Sequence, residues 1–464
     1  MYTWVPAGCW KNGITDGFVY IKYGKTGVTH IEVTDDPTIG QGGKIRLPDR
    51  EIVVSHHQDK RPIDWDFDEC LCTSIYSEGG LGERYLKYIL ISAHNGFEQK
   101  IKNRDWLKND LKLIGDSGGA QLKGGSSDWI DPYRVIDWHN RVVDIGATLD
   151  VPPRPIDHGD NRVIRALAEV QLRNNKIFLE HKRKDLKLFN VIHGYDHQQS
   201  SDWAKHVAND EFYGWAAGAD NYGSDLANFR NLLTAILEQP RVPHYHFFGV
   251  SGGQRMPAIA WIGSYVDCIT ADSTVYLQGT NKMMYWLTPD MKLKQLNVGD
   301  KSTLYWDHLT PLPCSCEACS RVRYWQVYSL PANYGTSFLL AWHNLTVVAR
   351  QAMYWNALAQ KLSYQDYIKI VEATYGATSA AYRRTEYVER VFQDGIEKAD
   401  ARYSAKDLGS QPLRAGRMAM LFEAAEEKKQ NFLNLPDRES IIEKVLPRYL
   451  TAQEIADFGI KIRA

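Results

Sequence analysis

Three cysteines within six positions, Cys314-Ser-Cys316-Glu-Ala-Cys319, are followed downstream by His343. Three thiolates and one imidazole form a closed tetrahedral Zn²⁺ shell, and a closed shell is structural rather than catalytic. The C-x-C-x-x-C spacing lets one turn supply three ligands, and His343 then pins a following helix to that turn. Seven cysteines in 464 residues do not make a disulfide framework, so this cluster reads as metal ligation. Cys70 and Cys72 form a second C-x-C without a partner and read as small core residues. A second group of residues is acidic. Asp116 follows Leu-Lys-Leu-Ile-Gly and precedes Ser117-Gly118-Gly, which sets a carboxylate beside backbone bare enough for a flat ligand to approach. Asp150 ends Val-Val-Asp-Ile-Gly-Ala-Thr-Leu, and Asp267 ends Gly-Ser-Tyr-Val. Each alone suits a helix N-cap or a turn. Three in equivalent positions of successive βα units would point at one pocket.

The elements that must position these groups are legible between about residues 85 and 270. Short apolar runs at Tyr88–Ala93, Leu111–Ile114, Val142–Leu149, Leu188–Ile192, Tyr213–Ala217, Tyr245–Val250 and Tyr265–Ile269 read as strands. Helical periodicities such as Arg162–Arg173, Ser201–Ala208 and Leu226–Leu237 lie between them. Crossovers of that length make a parallel sheet. Conspicuous polar and glycine-rich residues at many strand ends favour an α/β fold of the (β/α)8 TIM-barrel type over a doubly wound sheet. The first 45 residues read as a small β element capping the barrel. Residues 1–355 are therefore assigned to the barrel with that element and a zinc-binding subdomain at about 305–355. Residues 356–464 read as a helical C-terminal region, with Leu345–Leu362, Tyr364–Glu372, Ala381–Ala401 and Leu413–Lys428 as its helical stretches.

Composition excludes several classes. Lys+Arg 55 against Asp+Glu 56 leaves a net charge of -1, so bulk electrostatics demand no nucleic-acid partner and a local groove would have to supply one. The most apolar stretch, Ser337–Ala349, is interrupted by His343 and Asn344 and is too short for a spanning helix, so no membrane is expected. The N-terminus lacks the pattern of a secretory signal. Ser251-Gly-Gly-Gln254 before a helix suits a plain turn as well as a phosphate site. His158 reads as part of a helix cap, and His181-Lys-Arg-Lys184 as a solvated face.

In order along the chain, four segments resemble the tRNA-guanine transglycosylase superfamily. Asp116-Ser-Gly-Gly-Ala-Gln121 is similar to its DSGG[FY]Q segment, and Asp144-Ile-Gly-Ala-Thr-Leu-Asp150 is similar to its D-I-x-x-x-x-D strand. Asp267-Cys-Ile269 resembles its FDCV segment, and Cys314, Cys316, Cys319 with His343-Asn344 resemble its zinc site. The resemblance implies a (β/α)8 barrel with a structural Zn²⁺ that swaps guanine in a nucleic acid for a 7-deazaguanine base. It implies Asp267 as the nucleophile at C1′ and Asp116 as acid/base. Asp150 would hold the guanine-like edge, with Ser117, Gly118, Gly194 and Gly218 lining the base site. A covalent aspartyl-glycosyl intermediate and net retention at C1′ go with that chemistry.

The departures matter as much. The family's P-T-R-x-G-R is here Thr270-Ala-Asp-Ser-Thr-Val-Tyr, without the arginine pair that grips an anticodon loop. Ala120 stands where the family stacks an aromatic on the base, which leaves Phe248 as the candidate stacking residue. His193 replaces the amide of V-Q-G. These changes resemble the DpdA-type 7-deazaguanine DNA transglycosylases of bacteria and bacteriophages. The expectation is exchange of guanine in DNA, flipped or single-stranded, for a base such as preQ0 (7-cyano-7-deazaguanine), in the cytoplasm of a bacterial cell or phage-infected host. The alternatives are a divergent enzyme acting on tRNA, or a non-catalytic nucleic-acid-binding partner subunit. Neither an ATPase- or helicase-type partner nor a homodimer is decided by the residues.

Overall fold

The apolar runs form strands because each is short, rich in branched residues and bounded by turn signals. The computed structural model describes residues 1–6, 18–24, 27–34, 67–72, 86–93, 111–119, 131–153, 157–218, 225–250, 252–273, 285–287, 293–295, 334–403, 408 and 445–460. Eight strands form one parallel sheet: β1 (Tyr2–Pro6), β5 (Tyr88–Ser92), β6 (Lys112–Asp116), β7 (Ile145–Ala147), β8 (Lys187–Ile192), β9 (Gly214–Ala217), β10 (His244–Phe247) and β11 (Ile269–Ser273). Their spatial order follows the chain from β5 to β11, and β11 then pairs in parallel with β1. The two edge strands, β1 and β5, lie against each other, so the sheet is a nearly closed barrel of the TIM type.

Helices α1 (Pro132–Val142), α2 (Asn161–His181), α3 (His197–Val207), α4 (Asp225–Glu238) and α5 (Met256–Tyr265) cross between strands on the outside. Asp131, Asp160 and Asp196 cap α1, α2 and α3 by accepting from backbone N–H groups of the first turn. Two apolar layers result. Val5, Leu90, Ile114, Ile145, Phe189 and Ala216 fill the barrel, while a larger layer joins the strands' outer faces to the helices. Helix α6 (Tyr334–Lys361) packs on β1 and α5, with Asn356 Oδ1 accepting from Tyr2 N at 2.7 Å. It is followed by α7 (Tyr364–Tyr375), α8 (Ala380–Asp394) and α9 (Ile396–Arg402).

Several expectations change. Tyr2–Pro6 is a barrel strand rather than part of a cap. The neighbouring β2 (Phe18–Gly24) and β3 (Gly27–Thr34) instead pair antiparallel with each other, and β2 also with β4 (Phe67–Cys72). The segment Tyr265–Ile269 is not a strand: α5 runs to Tyr265, and the last barrel strand starts only at Ile269. The stretch Ala381–Ala401 is broken into α8 and α9 at Gly395, whose φ of 88° suits glycine. The boundary at 355/356 falls inside α6. Leu413–Lys428, Cys314, Cys316 and Cys319 lie outside the described residues. No described helix is long and apolar enough to cross a membrane.

Candidate active site

Polar groups gather at the C-terminal ends of the barrel strands. Asp116 is the last residue of β6, aligned with Ser92 at the end of β5. Asp150 lies three residues beyond β7, His193 directly follows β8, Gly218 follows β9 and Phe248 follows β10. Asp272 stands one residue before the end of β11, in register with Val5 of β1.

The Asp116-Ser-Gly-Gly segment folds tightly over Asp150. Gly118 adopts φ 80°, a left-handed conformation that side chains resist. A Cβ on Gly119 would sit 2.3 Å from the Asp150 carbonyl oxygen and 2.5 Å from its Oδ1, so only glycine fits. Ser117 Oγ donates to Asp150 Oδ1 at 3.0 Å, and its oxygen accepts from Gly119 N at 3.2 Å. His193 Nε2 meets the other Asp150 oxygen at 2.8 Å, with both side chains nearly sealed from water. The imidazole edge packs on Trp203. Gly194 is glycine because a Cβ there would strike Ser200, 2.5 Å from its backbone nitrogen. A Cβ on Gly218 would meet only His193 Cε1, at an ordinary 3.6 Å. The loop carrying Asp150 is pinned from behind by α2, whose Asn174 donates to Leu149 O at 2.9 Å and whose Gln171 donates to Thr148 Oγ1 at 2.7 Å.

Asp116 carries the clearest electrostatic signature. Burial pushes its carboxyl up to about 6, and the charges of Asp150 and Asp272 push the same way. Contacts from Ser92 and the Gly118 N–H only partly offset them. A carboxyl poised there can hold or release a proton near neutrality, as an acid/base must. Asp272 is 5% exposed, accepts from Gly249 N at 2.8 Å through Oδ1, and has His246 Nε2 3.3 Å from that oxygen. Phe248 is half-buried, with its ring edge-to-face on His246 at 4.5 Å.

Asp267 is not in this group. It precedes β11, at the opposite end of the barrel, where its carbonyl accepts from the N-terminal ammonium of Met1 at 3.0 Å. Its side chain is 63% exposed and pairs with Arg241 at 2.6 Å on the surface. Because α5 continues to Tyr265, the chain needs Val266–Cys268 to turn into the strand, and this leaves Asp267 at the strand's start. The carboxylate at the mouth is Asp272, five residues on, which sequence reasoning passed over. Its signal was alternation: Thr270 and Asp272 on β11 face the barrel interior together with His244 and His246 of β10 and Phe248 just beyond it, while Tyr245, Phe247, Ile269 and Ala271 belong to the outer layer. Among the zinc ligands suggested by the sequence, only His343 is described. It is 1% exposed on α6. No group of three metal-binding side chains occurs among the described residues.

Comparison with known proteins finds distant relatives that share one name. The chain is 24% identical to the tRNA-guanine(15) transglycosylase of Methanocaldococcus jannaschii over 376 residues, 77% of this chain and 52% of that protein. It is 27% identical to the protein of the same name from Methanococcus maripaludis over 318 residues, 66% of this chain and 45% of that protein. No protein-family model matches. The chain thus spans about half the length of the curated relatives it matches. The chain is thus distantly similar to proteins named tRNA-guanine(15) transglycosylase, and it folds as a parallel barrel with carboxylates at its C-terminal mouth.

Proposed function

We propose that this chain is a guanine transglycosylase that exchanges guanine in a polynucleotide for a 7-deazaguanine base, with Asp272 as the nucleophile. The observation that carries this reading is the meeting of Asp116, Asp150 and Asp272 at one barrel mouth, in environments that separate their roles. In the first displacement the Asp272 carboxylate bonds to C1′ while the C1′–N9 bond breaks, and protonated Asp116 gives its proton to the departing guanine. In the second, the incoming base loses its N9 proton to Asp116 and bonds to C1′, and the C1′–O bond to Asp272 breaks. Two inversions give retention, and both carboxyls return to their starting states.

Asp150 suits the guanine-like edge. Ionised, it offers about four lone-pair sites, and Ser117 and His193 take one each. Two remain for a ring N–H and an exocyclic amine. His193 and Gly218 are assigned to the rest of the base site, with Phe248 as the ring that would stack on a base that has left its helical neighbours.

For the acceptor we favour DNA, because the residues after the nucleophile, Ser273-Thr-Val-Tyr, supply no arginine pair for an anticodon loop. A tRNA acceptor is the second reading, favoured by the names of the matched relatives. A structural Zn²⁺ on Cys314, Cys316, Cys319 and His343 completes the proposal. The donor set is that of a closed zinc shell, and buried His343 would tie it to α6.

The test is incorporation of labelled preQ0 into duplex DNA, single-stranded DNA or bulk tRNA. Label should enter DNA; label in tRNA alone would move the acceptor, and no label in any polymer would overturn the reaction. Asp272→Asn should abolish incorporation, whereas Asp267→Asn, on the far rim, should leave it intact. The opposite pattern would restore Asp267 as nucleophile.

A further inference from the structure

Behind Asp272 the barrel interior holds a polar chain that the exchange reaction does not itself require. His244, Thr270 and His246 are all fully buried. Nε2 of His244 and Nδ1 of His246 both meet the Thr270 hydroxyl, at 2.8 and 2.7 Å. His246 is stacked on Phe189 at 5.7 Å and 14°, with Phe248 at its edge, so its ring plane is fixed. Its Nε2 lies 3.3 Å from Asp272 Oδ1 and has no hydrogen-bonded partner among the described residues.

Counting protons assigns the direction of this chain. Thr270 has one O–H hydrogen and faces two ring nitrogens. Its contact with Tyr245 O, at 3.4 Å, is long by comparison. If His246 carried its proton on Nδ1, its bare Nε2 would point a lone pair at a carboxylate. Were the Thr270 proton then given to His244, that ring would bury an Nδ1–H with no acceptor. The reverse direction avoids both penalties. His244 Nε2–H donates to Thr270, Thr270 O–H donates to His246 Nδ1, and His246 Nε2–H faces Asp272. Only the His244 Nδ1 lone pair is left bare.

We infer that His246 is a positioning residue for Asp272, its donor nitrogen selected through Thr270 and His244. This rests on the transglycosylase reading above. With Gly249 N–H and His246 both on Oδ1, the second oxygen is left to attack C1′. The 3.3 Å separation would close once substrate occupies the mouth, since such bonds are often long in free enzymes. His246 touches no reacting atom; it holds the carboxylate in aim.

Two measurements test this on the full chain. The first is ¹⁵N NMR of the imidazoles, with the His246 signals identified by their loss in His246→Gln. A protonated Nε2 and a bare Nδ1 are expected, and the opposite tautomer would overturn the chain of donors. The second is the rate of preQ0 incorporation. His246→Phe, which keeps a flat ring against Phe189, should lower kcat about 10²-fold with little change in KM for preQ0. His246→Gln, whose amide nitrogen can reach the place of Nε2, should recover much of that loss. A rise in KM with kcat unchanged, or failure of His246→Gln to outperform His246→Phe, would overturn the positioning role. Incorporation by wild-type protein that tolerates His246→Phe sinks this inference alone. Absence of incorporation by the wild-type protein sinks the exchange reaction and, with it, the positioning role.

Discussion

Burial, then the neighbouring carboxylates, disfavour the ionised form of Asp116, and two interior histidines are also held neutral. His139 and His244 are each brought down to about 3, chiefly by burial. Near pH 5 the unfolded chain binds a proton on each histidine that the folded chain refuses, which favours unfolding. Asp116, with a folded value of about 6 against 3.8 unfolded, binds one proton that the unfolded chain refuses. These three groups leave one net proton in favour of unfolding, so their combined effect is a stability that falls by about 1.4 kcal/mol per pH unit on acidification. Asp116→Asn removes the opposing member. Its slope near pH 5 should be steeper by about 1 kcal/mol per pH unit, and at pH 8 the variant should be more stable than wild type by roughly 1–3 kcal/mol. Denaturant titrations at pH 5 and 8 would read both, and an unchanged slope would deny the raised carboxyl. Gly119→Ala places a methyl 2.3 Å from the Asp150 carbonyl, so the Asp150 loop must move. KM for the incoming base should rise about tenfold or more, while melting shifts less than for a core cavity. Steady-state kinetics with preQ0 would check this.

At the scale of elements, most of the barrel was legible because six of its strands are apolar runs between turn signals. The last strand was not. Ile269–Ser273 carries Thr270 and Asp272 on its inner face, so its polarity contradicts the rule by which strands are recognised. The preceding helix hides its period as well. From Met256 through Gly263 every residue of α5 is buried, because α6 and α8 close around the side turned away from the sheet. With no polar face to mark it, Tyr265-Val-Asp-Cys-Ile looks like a strand, and the carboxylate is placed at the wrong end. Glycines at 115 and 146 were equally opaque. They accommodate His139 of α1, whose ring would lie 2.8 and 2.4 Å from added Cβ atoms. The zinc cluster belongs to this scale too. Elemental analysis should return one Zn²⁺ per chain, and Cys316→Ala or a strong chelator should lower the melting temperature while leaving exchange per folded molecule largely unchanged. A metal-free protein with unaltered melting would remove zinc from the proposal.

For the molecule as a whole, the helices after the barrel are tied to the element that carries His193. Arg230 of α4 is 7% exposed; its Nε donates to Asp400 of α9 at 2.6 Å, and its Nη1 donates to Tyr195 O at 2.6 Å, two residues past His193. Tyr387 of α8 donates to the second Asp400 oxygen at 2.9 Å. A second tie joins α8 to α5, where Glu389 accepts from Trp261 Nε1 and the Tyr265 hydroxyl at 2.8 and 2.7 Å. An ion pair this enclosed stabilises little against an apolar replacement, but losing one partner strands the other. Asp400→Ala should therefore cost about 3–5 kcal/mol, with Arg230 left holding an unmatched charge. The double variant Arg230→Met/Asp400→Leu should recover a large part of that loss, since no charge remains to desolvate. Additive costs in this cycle would mean that the two side chains do not act as a pair. The two variants should also differ in how they treat the base site. Arg230 also holds the Tyr195 carbonyl, so the double variant should raise KM for the incoming base even where its melting approaches that of wild type. A double variant with recovered stability and unchanged KM would confine the C-terminal helices to a supporting role.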